Sequence, residues 1–171
     1  MSISRHANIL GALALGLAED IIDGVTGGSK LGATETAALA LIDHEPGISI
    51  NALRGGLALS HPGAVRLVDR LVDAGFVQRA RHEGDGRAVA LSLTSAGATA
   101  CAAAIAGRDG AIARGLAALT PEEQGMMGAL AAKMLRAMLR DEAHAYRTCR
   151  LCHFERCANC PIEAELEARG G

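Results

Sequence analysis

The feature that most constrains the fold of this chain is the run of boundary signals between residues 48 and 97. Ile48-Ser49-Ile50-Asn51-Ala52-Leu53-Arg54 reads as a short helix, and Gly55-Gly56 with Leu57-Ala58-Leu59 reads as a turn. Ser60 is placed to cap a further helix, with Pro62 in its first turn, running to Asp73 or Ala74. The apolar face of that helix is Val65, Leu67, Val68, Leu71 and Val72, and its other face shows His61, Gly63, Arg66, Asp69 and Arg70. Residues 76–82 then read as a strand, Glu83-Gly84-Asp85-Gly86-Arg87 as a turn, and residues 88–93 as a returning strand. Two helices joined by a tight turn and followed by a β-hairpin describe a helix-turn-helix with a wing.

The flanking segments are helical. Ile9, Leu10, Leu13, Leu17, Ile21 and Ile22 fall at helical spacing within residues 3–24, and Thr34 is placed to cap a second helix over 34–44 that stops at Pro46-Gly47. Thr94 caps an alanine-rich helix over about 95–117. Thr120-Pro121-Glu122-Glu123 is a capping box, starting a helix expected to reach Tyr146, and residues 162–168 suit a short tail helix. The only aromatic residues of these types are Phe76, Tyr146 and Phe154, so the core must be built from Ala, Leu, Val and Ile, a composition that favours helices. The expected class is therefore mainly α with a small β-hairpin wing. The long terminal helices carry more apolar surface than one small unit can cover, so a partner chain is expected on them.

Charge is unevenly placed. The chain carries −2, yet Arg54 to Arg87 holds six arginines against four acids, an excess of two positive charges with His61 and His82 in addition. A locally basic segment on an acidic body suits a nucleic-acid partner. Ile9 to Ala18 is too short and glycine-broken for a secretory signal, and no stretch is long enough to span a membrane, so a cytoplasmic protein is expected. The sequence holds no nucleophile elbow, no phosphate-binding glycine loop after a strand and no paired histidines on one helix face, so an enzyme is not expected.

The order of elements resembles the MarR family of winged helix-turn-helix regulators. Two stretches carry the resemblance at the residue level. Leu59-Ser60-x3-Ala64-Val65-Arg66-Leu67-Val68-Asp69-Arg70-Leu71, with Gly75-Phe76-Val77 and Arg79, is similar to the recognition-helix segment. Asp85-Gly86-Arg87-Ala88-Val89, with Leu91, Leu93, Thr94 and Gly97, is similar to the wing and its exit into the following helix. The resemblance covers about residues 30–145 and implies a homodimeric regulator, a repressor on a pseudo-palindromic stretch of double-stranded DNA. Residues 1–146 would form the family domain. Within it, residues 30–94 would be the winged helix-turn-helix, and 1–25 with 95–146 the dimerisation helices.

In such a protein the start of the recognition helix meets base edges in the major groove. His61, Pro62 and Gly63 face that way, and Gly63 and Ala64 permit close approach. Arg66, one turn on, is placed to read guanine or clamp phosphate. Arg70 suits a phosphate or a pair with Asp73, and Arg79 and Arg81 suit phosphates. The resemblance implies that Asp85 orients Arg87 toward the minor groove or the backbone.

The family pattern does not account for the last 25 residues. Cys149, Cys152, Cys157 and Cys160 read Cys-x2-Cys-x4-Cys-x2-Cys, followed by Pro161. Four thiolates so close suit Zn²⁺, an iron–sulfur cluster or a thiol–disulfide switch. Paired zinc motifs usually have a longer gap between pairs, and the Cys-Pro ending resembles ferredoxin-type ligation, so the iron–sulfur cluster is slightly favoured over Zn²⁺. Residues 147–171 are thus expected to be a metal-binding extension. Cys101, in its alanine-rich helix, is expected to be an inert core residue. Because the cluster is far in sequence from the recognition helix, a signal there is expected to act by altering dimer geometry. Two other functions fit the residues: a repressor responding to a small molecule, with a structural zinc site, and an iron–sulfur redox protein that does not act through DNA.

Overall fold

The structure is a computed structural model that describes residues 4–28, 31–81, 89–156 and 159–170, without the side chains of Arg81 and Glu155. The elements run α1 (Arg5–Thr26), α2 (Ala33–His44), α3 (Ile50–Leu57), α4 (His61–Asp73), β1 (Val77–Arg81), β2 (Val89–Leu93), α5 (Ser95–Leu116), α6 (Pro121–Met138), α7 (Glu142–Cys149) and α8 (Pro161–Ala168), with a short 3₁₀ turn at Phe154–Arg156. The expected class holds: helices dominate, and β1 and β2 form an antiparallel hairpin in the register Val77 opposite Leu93 to Arg81 opposite Val89.

Three of the four expected capping signals are realised where the sequence placed them. Ser60 accepts from the Gly63 amide, Thr94 from the Gly97 amide, and Thr120 with Glu123 closes a capping box. The boundaries around α2 and α3 differ from expectation. Helix α2 starts one residue early behind Gly32, so Thr34 lies inside it and is not its cap. Ile48 and Ser49 pair with β2 instead of opening the helix: the Leu91 amide donates to the Ile48 carbonyl at 3.1 Å, and Ser49 bridges Ala90. Helix α3 therefore starts at Ile50, capped by Ser49. Gly55 and Gly56 then fall inside α3, and the turn is made by Ala58 in the left-handed region, φ 54°.

The main core lies where α2, α3, α4, the hairpin and α5 meet. Leu39, Leu41, Ile42, Leu53, Leu67, Val68, Leu71, Val77 and Leu91 are all buried there, with Cys101 and Ile105 from α5. On α4 the buried face is Ala64, Leu67, Val68 and Leu71; Val65 and Val72 are only half-buried. Ala64 thus belongs to the core and is not available for close approach to a ligand. With few large side chains to fill gaps, helices meet backbone to backbone. A Cβ on Gly107 of α5 would sit 2.0 Å from the Gly24 carbonyl oxygen of α1, and one on Gly24 would sit 2.5 Å from the Gly107 carbonyl oxygen.

The largest departure concerns the end of the chain. The helix expected to run to Tyr146 stops at Met138; Leu139 is extended, and Asp141 caps a separate helix, α7. The break turns the chain back, and α7 packs against α3. The Tyr146 ring lies on Gly56, where an added Cβ would meet Tyr146 Cβ at 3.2 Å and Leu41 Cδ1 at 3.0 Å. Gly56 therefore serves helix packing and not the turn. Tyr146 Oη donates to Glu45 Oε2 at 2.9 Å. Beyond it, Leu151 is buried with Val25, Ala37 and Ala104, and Arg169 after α8 donates to the Leu139 carbonyl at 2.9 Å. The cysteine-bearing segment is thus packed onto the body of the molecule.

Two measurements test this packing. Gly107→Ala is expected to lower stability by roughly 1–3 kcal/mol or more, because the new methyl group meets backbone that cannot move aside. Gly110→Ala, three residues on in the same helix with open space around it, is expected to raise stability by up to about 1 kcal/mol. Equal thermal melting of the two variants would contradict the crossing. Burial, then the Glu45 hydrogen bond and the charges of Glu45 and Glu142, push Tyr146 from its ordinary 10 up to about 12. Tyr146 is the only tyrosine and there is no tryptophan, so near-ultraviolet absorbance reads it directly. Since the folded value is raised, its contribution to stability is complete below pH 10 and is lost as pH rises toward about 12. A native tyrosine titrating at 10 would rule out the docking of α7.

Candidate nucleic-acid interface and cysteine segment

The first turn of α4 is the exposed edge of the helix-turn-helix. Ser60 anchors it through the Gly63 amide, and Pro62 presets its backbone. His61, Pro62 and Arg66 are exposed, whereas Ala64, Leu67 and Val68 hold the opposite face in the core. Amphipathic spacing alone produces this division, because buried positions three and four apart leave His61 and Arg66 on the outside. Arg66 makes no ion pair with a described residue. It is the least constrained positive charge on the helix, and one turn from its free end.

Arg70 and Arg79 are held by carboxylates. Arg79 on β1 donates to Asp69 of α4 at 2.6 Å, which fixes the hairpin stem to α4 and aims the guanidinium. Arg70 donates to Glu35 of α2 at 2.7 Å, and does not pair with Asp73. That hydrogen bond is the main cause holding the Glu35 carboxyl below its ordinary range. Both pairs lie at the surface and are partly exposed, so each contributes little stability and more orientation. Sequence reasoning missed Asp69 and Glu35 as partners. Asp69 could have been paired with Arg79 from the helix-to-strand spacing, but nothing local to Arg70 points to Glu35. The turn at 82–88 lies outside the described residues, and with it Asp85, Arg87 and the side chain of Arg81.

At the other end, Cys149 closes α7 and the Cys152 amide donates to the Cys149 carbonyl at 2.7 Å, so the first pair spans one tight turn. A hydrogen bond from Cys149 brings the Cys152 thiol down to about 7 against the opposing effect of burial, helped by the charge of Arg108. Cys160 stands at the start of α8. Cys149 and Cys160 pack on the same cluster of Leu139, Ala145 and Ile162, and both line one cavity of about 250 Å³. Cys157 lies outside the described residues, and among those described no three His, Cys, Asp or Glu side chains converge at metal-ligating distance. Cys101 is buried in the core, and burial raises its thiol to about 12, in keeping with an inert role.

Asp109 of α5 ties the segment down. Its carboxylate lies 2.9 Å from His153 Nδ1 and 2.8 Å from Arg108 Nη1, with Arg156 at 3.8 Å. Burial would push Asp109 up, but the hydrogen bonds from His153 and Arg108 outweigh it and its pKa is lowered. Phe154 stacks on His44 of α2, ring centroids 3.5 Å apart. The cysteine segment, though distant in sequence from the helix-turn-helix, thus touches α2 and, through α7, α3. No helix among the described residues is long and apolar enough to cross a membrane.

Comparison with known proteins agrees with this architecture. Residues 29–88 match the family model described as MarR family. An uncharacterised HTH-type transcriptional regulator of Mycobacterium bovis is 32% identical over 107 residues, spanning 63% of this chain and 75% of the relative. Apo MarR of E. coli superposes with a TM-score of 0.64 at 21% identity, covering 78% of this chain and 99% of that one. FabT of Streptococcus pneumoniae, solved in complex with DNA, superposes with a TM-score of 0.63 at 17% identity, covering 78% and 95%. The winged helix-turn-helix, the shared sequence and the shared fold lead to one conclusion: this chain belongs to the MarR family of HTH-type transcriptional regulators.

Proposed function

We propose that the protein is a homodimeric, sequence-specific DNA-binding repressor whose four C-terminal cysteines hold a metal centre. The observation that carries the DNA-binding part is the first turn of α4: a capped, exposed helix start bearing His61, Pro62 and Arg66, with Arg79 aimed beside it by Asp69. FabT, of similar fold, was solved bound to DNA, which supports the same use of the element here. Arg66 reads a base edge or a phosphate, and His61, Pro62 and Gly63 approach the groove floor. Arg70, Arg79, Arg81 and the wing pair Asp85 and Arg87 serve the backbone.

Dimerisation is supported by the surface of α6, which has no buried residue in the single chain. Met126, Leu130, Met134 and Met138 recur every fourth position and are 42–64% exposed, and α1 exposes Ile9, Leu10, Leu13 and Leu15. Apolar stripes of this length on both terminal helices call for a symmetry-related copy.

For the metal centre, Cys149, Cys152, Cys157 and Cys160 are the ligands. The Cys149–Cys152 turn, the lowered Cys152 thiol and the common packing of Cys149 and Cys160 suit a thiolate site that draws together as metal binds. An iron–sulfur cluster would supply redox or oxygen sensing, and Zn²⁺ would brace the fold.

Two outcomes are expected. Arg66→Ala should weaken binding to a duplex selected by the wild-type protein from random-sequence DNA by roughly 1–3 kcal/mol; unchanged affinity removes Arg66 from the interface. Protein purified without oxygen should retain iron with sulfide, visible as a brown colour, or stoichiometric zinc without colour. Serine at Cys149, Cys152, Cys157 or Cys160 should abolish that retention, whereas Cys101→Ser should leave it intact. Full retention in any of the four single variants removes that cysteine from the ligand set.

A further inference from the structure

We propose that Tyr146 is a positioning residue that couples the cysteine segment to the DNA-reading helices within a single chain. The inference deepens the function proposed above and rests on the reading that α3 and α4 engage DNA.

Helix α7 has two ends with different tasks. Its last residue is Cys149, the first cysteine of the segment, and Tyr146 lies one turn before it. Residues three apart share a helix face, so a displacement of Cys149 is carried to Tyr146 by a rigid turn. Tyr146 in turn lies on Gly56 of α3 and packs against the core that holds Leu53 of α3 and Leu67 of α4. The fit is tight: not even a methyl group can be added at Gly56 without pressing on Tyr146 Cβ and Leu41 Cδ1. The Tyr146 hydroxyl bonds Glu45, the residue that follows α2, so the ring is held from both sides. Helices α3 and α4 are themselves joined by a short turn with Ala58 in the left-handed region, leaving little slack between them.

The segment is anchored on its far side as well. Leu151, between Cys149 and Cys152, is buried with Val25 of α1, Ala37 of α2 and Ala104 of α5. Asp109 holds His153, and His44 stacks on Phe154. Fixed at these points to α1, α2 and α5, with Leu57 of α3 bordering the Leu151 cluster, the segment reaches α3 most extensively through α7, the helix that Cys149 closes. The rearrangement that draws the thiols together, or the loss of one of them, therefore shifts Tyr146 against α3 and changes the angle at which α4 is presented.

The test is a double-mutant cycle on the full-length protein. Wild type, Tyr146→Ala, Cys160→Ser and the double variant are compared for affinity toward the duplex selected by wild-type protein, for bound iron and zinc, and for mass in solution. Cys160→Ser is expected to change affinity about tenfold. Tyr146→Ala is expected to change it by a similar factor while keeping wild-type metal content and mass, and the double variant is expected to be no further changed than either single one. Tyr146→Phe, which keeps the ring on Gly56, should retain the full response to Cys160→Ser. If Tyr146→Ala does not fold, Tyr146→Leu takes its place, since it keeps apolar bulk but loses both the ring contact and the Glu45 bond. Effects that multiply in the double variant, or wild-type affinity in Tyr146→Ala, overturn the coupling. Wild-type protein without metal removes the metal centre alone, because Cys160→Ser then reports on the folded segment itself. Wild-type protein that selects no duplex removes the DNA-binding reading and the coupling with it.

Discussion

Helix α5 is held by two backbone contacts that leave no room for a side chain. At its start, a Cβ on Gly97 would lie 2.0 Å from the Phe76 carbonyl oxygen; farther along, Gly107 meets the Gly24 carbonyl of α1. The first contact fixes where the hairpin ends and the helix begins, and Thr94 reinforces it by donating to the Gly75 carbonyl at 2.6 Å. The second fixes α1 across α5. A core without bulky aromatics needs such close approach, because Ala, Leu and Val cannot fill wider gaps at the density of a protein interior. Everything functional in the molecule hangs from this spine: the helix-turn-helix before it, Asp109 on it, and α6 after it.

Within that frame, the exposed edge of the helix-turn-helix is organised by charge pairs that cross between elements. Asp69 directs Arg79, and Glu35 directs Arg70. Neither pair adds much to stability at such exposure. Their effect is to restrict where two guanidinium groups can point while Arg66 stays unconstrained. On the proposed DNA-binding reading, that combination of fixed and adaptable cations suits contacts to both the phosphate backbone and the bases.

The cysteine segment is integrated with the fold through contacts of different kinds: the apolar insertion of Leu151, the carboxylate of Asp109, the stacking of Phe154 on His44, and the Tyr146 ring on α3. The break at Leu139 to Asp141 makes this possible. A helix continued to Tyr146 would have carried the cysteines away from the body along α6, whereas the break returns them to α2 and α3. The same segment that looks like an appendage in sequence thus becomes a neighbour of α2 and α3 of the helix-turn-helix.

Much of the fold was legible in the residue order, and the reason is local. Ser60 with Pro62, Thr94, and Thr120 with Glu123 act within one turn of themselves, so their capping bonds follow from sequence alone. The alternating hairpin and the apolar face of α4 follow from strand and helix periodicity. The exposure of His61 and Arg66 and the burial of Cys101 were legible for the same reason. The partners of Arg70 and Tyr146 were not, because they lie 35 and 101 residues away. Gly56 was misread as a turn residue because its purpose, space for Tyr146, exists only once α7 has folded back. The sequence by itself determined most of the elements, the caps of α4, α5 and α6, and the spacing of the cysteines. Only the tertiary structure decided that Cys149, Cys152 and Cys160 sit beside the helix-turn-helix, since that depends on a chain reversal and a close helix contact with no local signature.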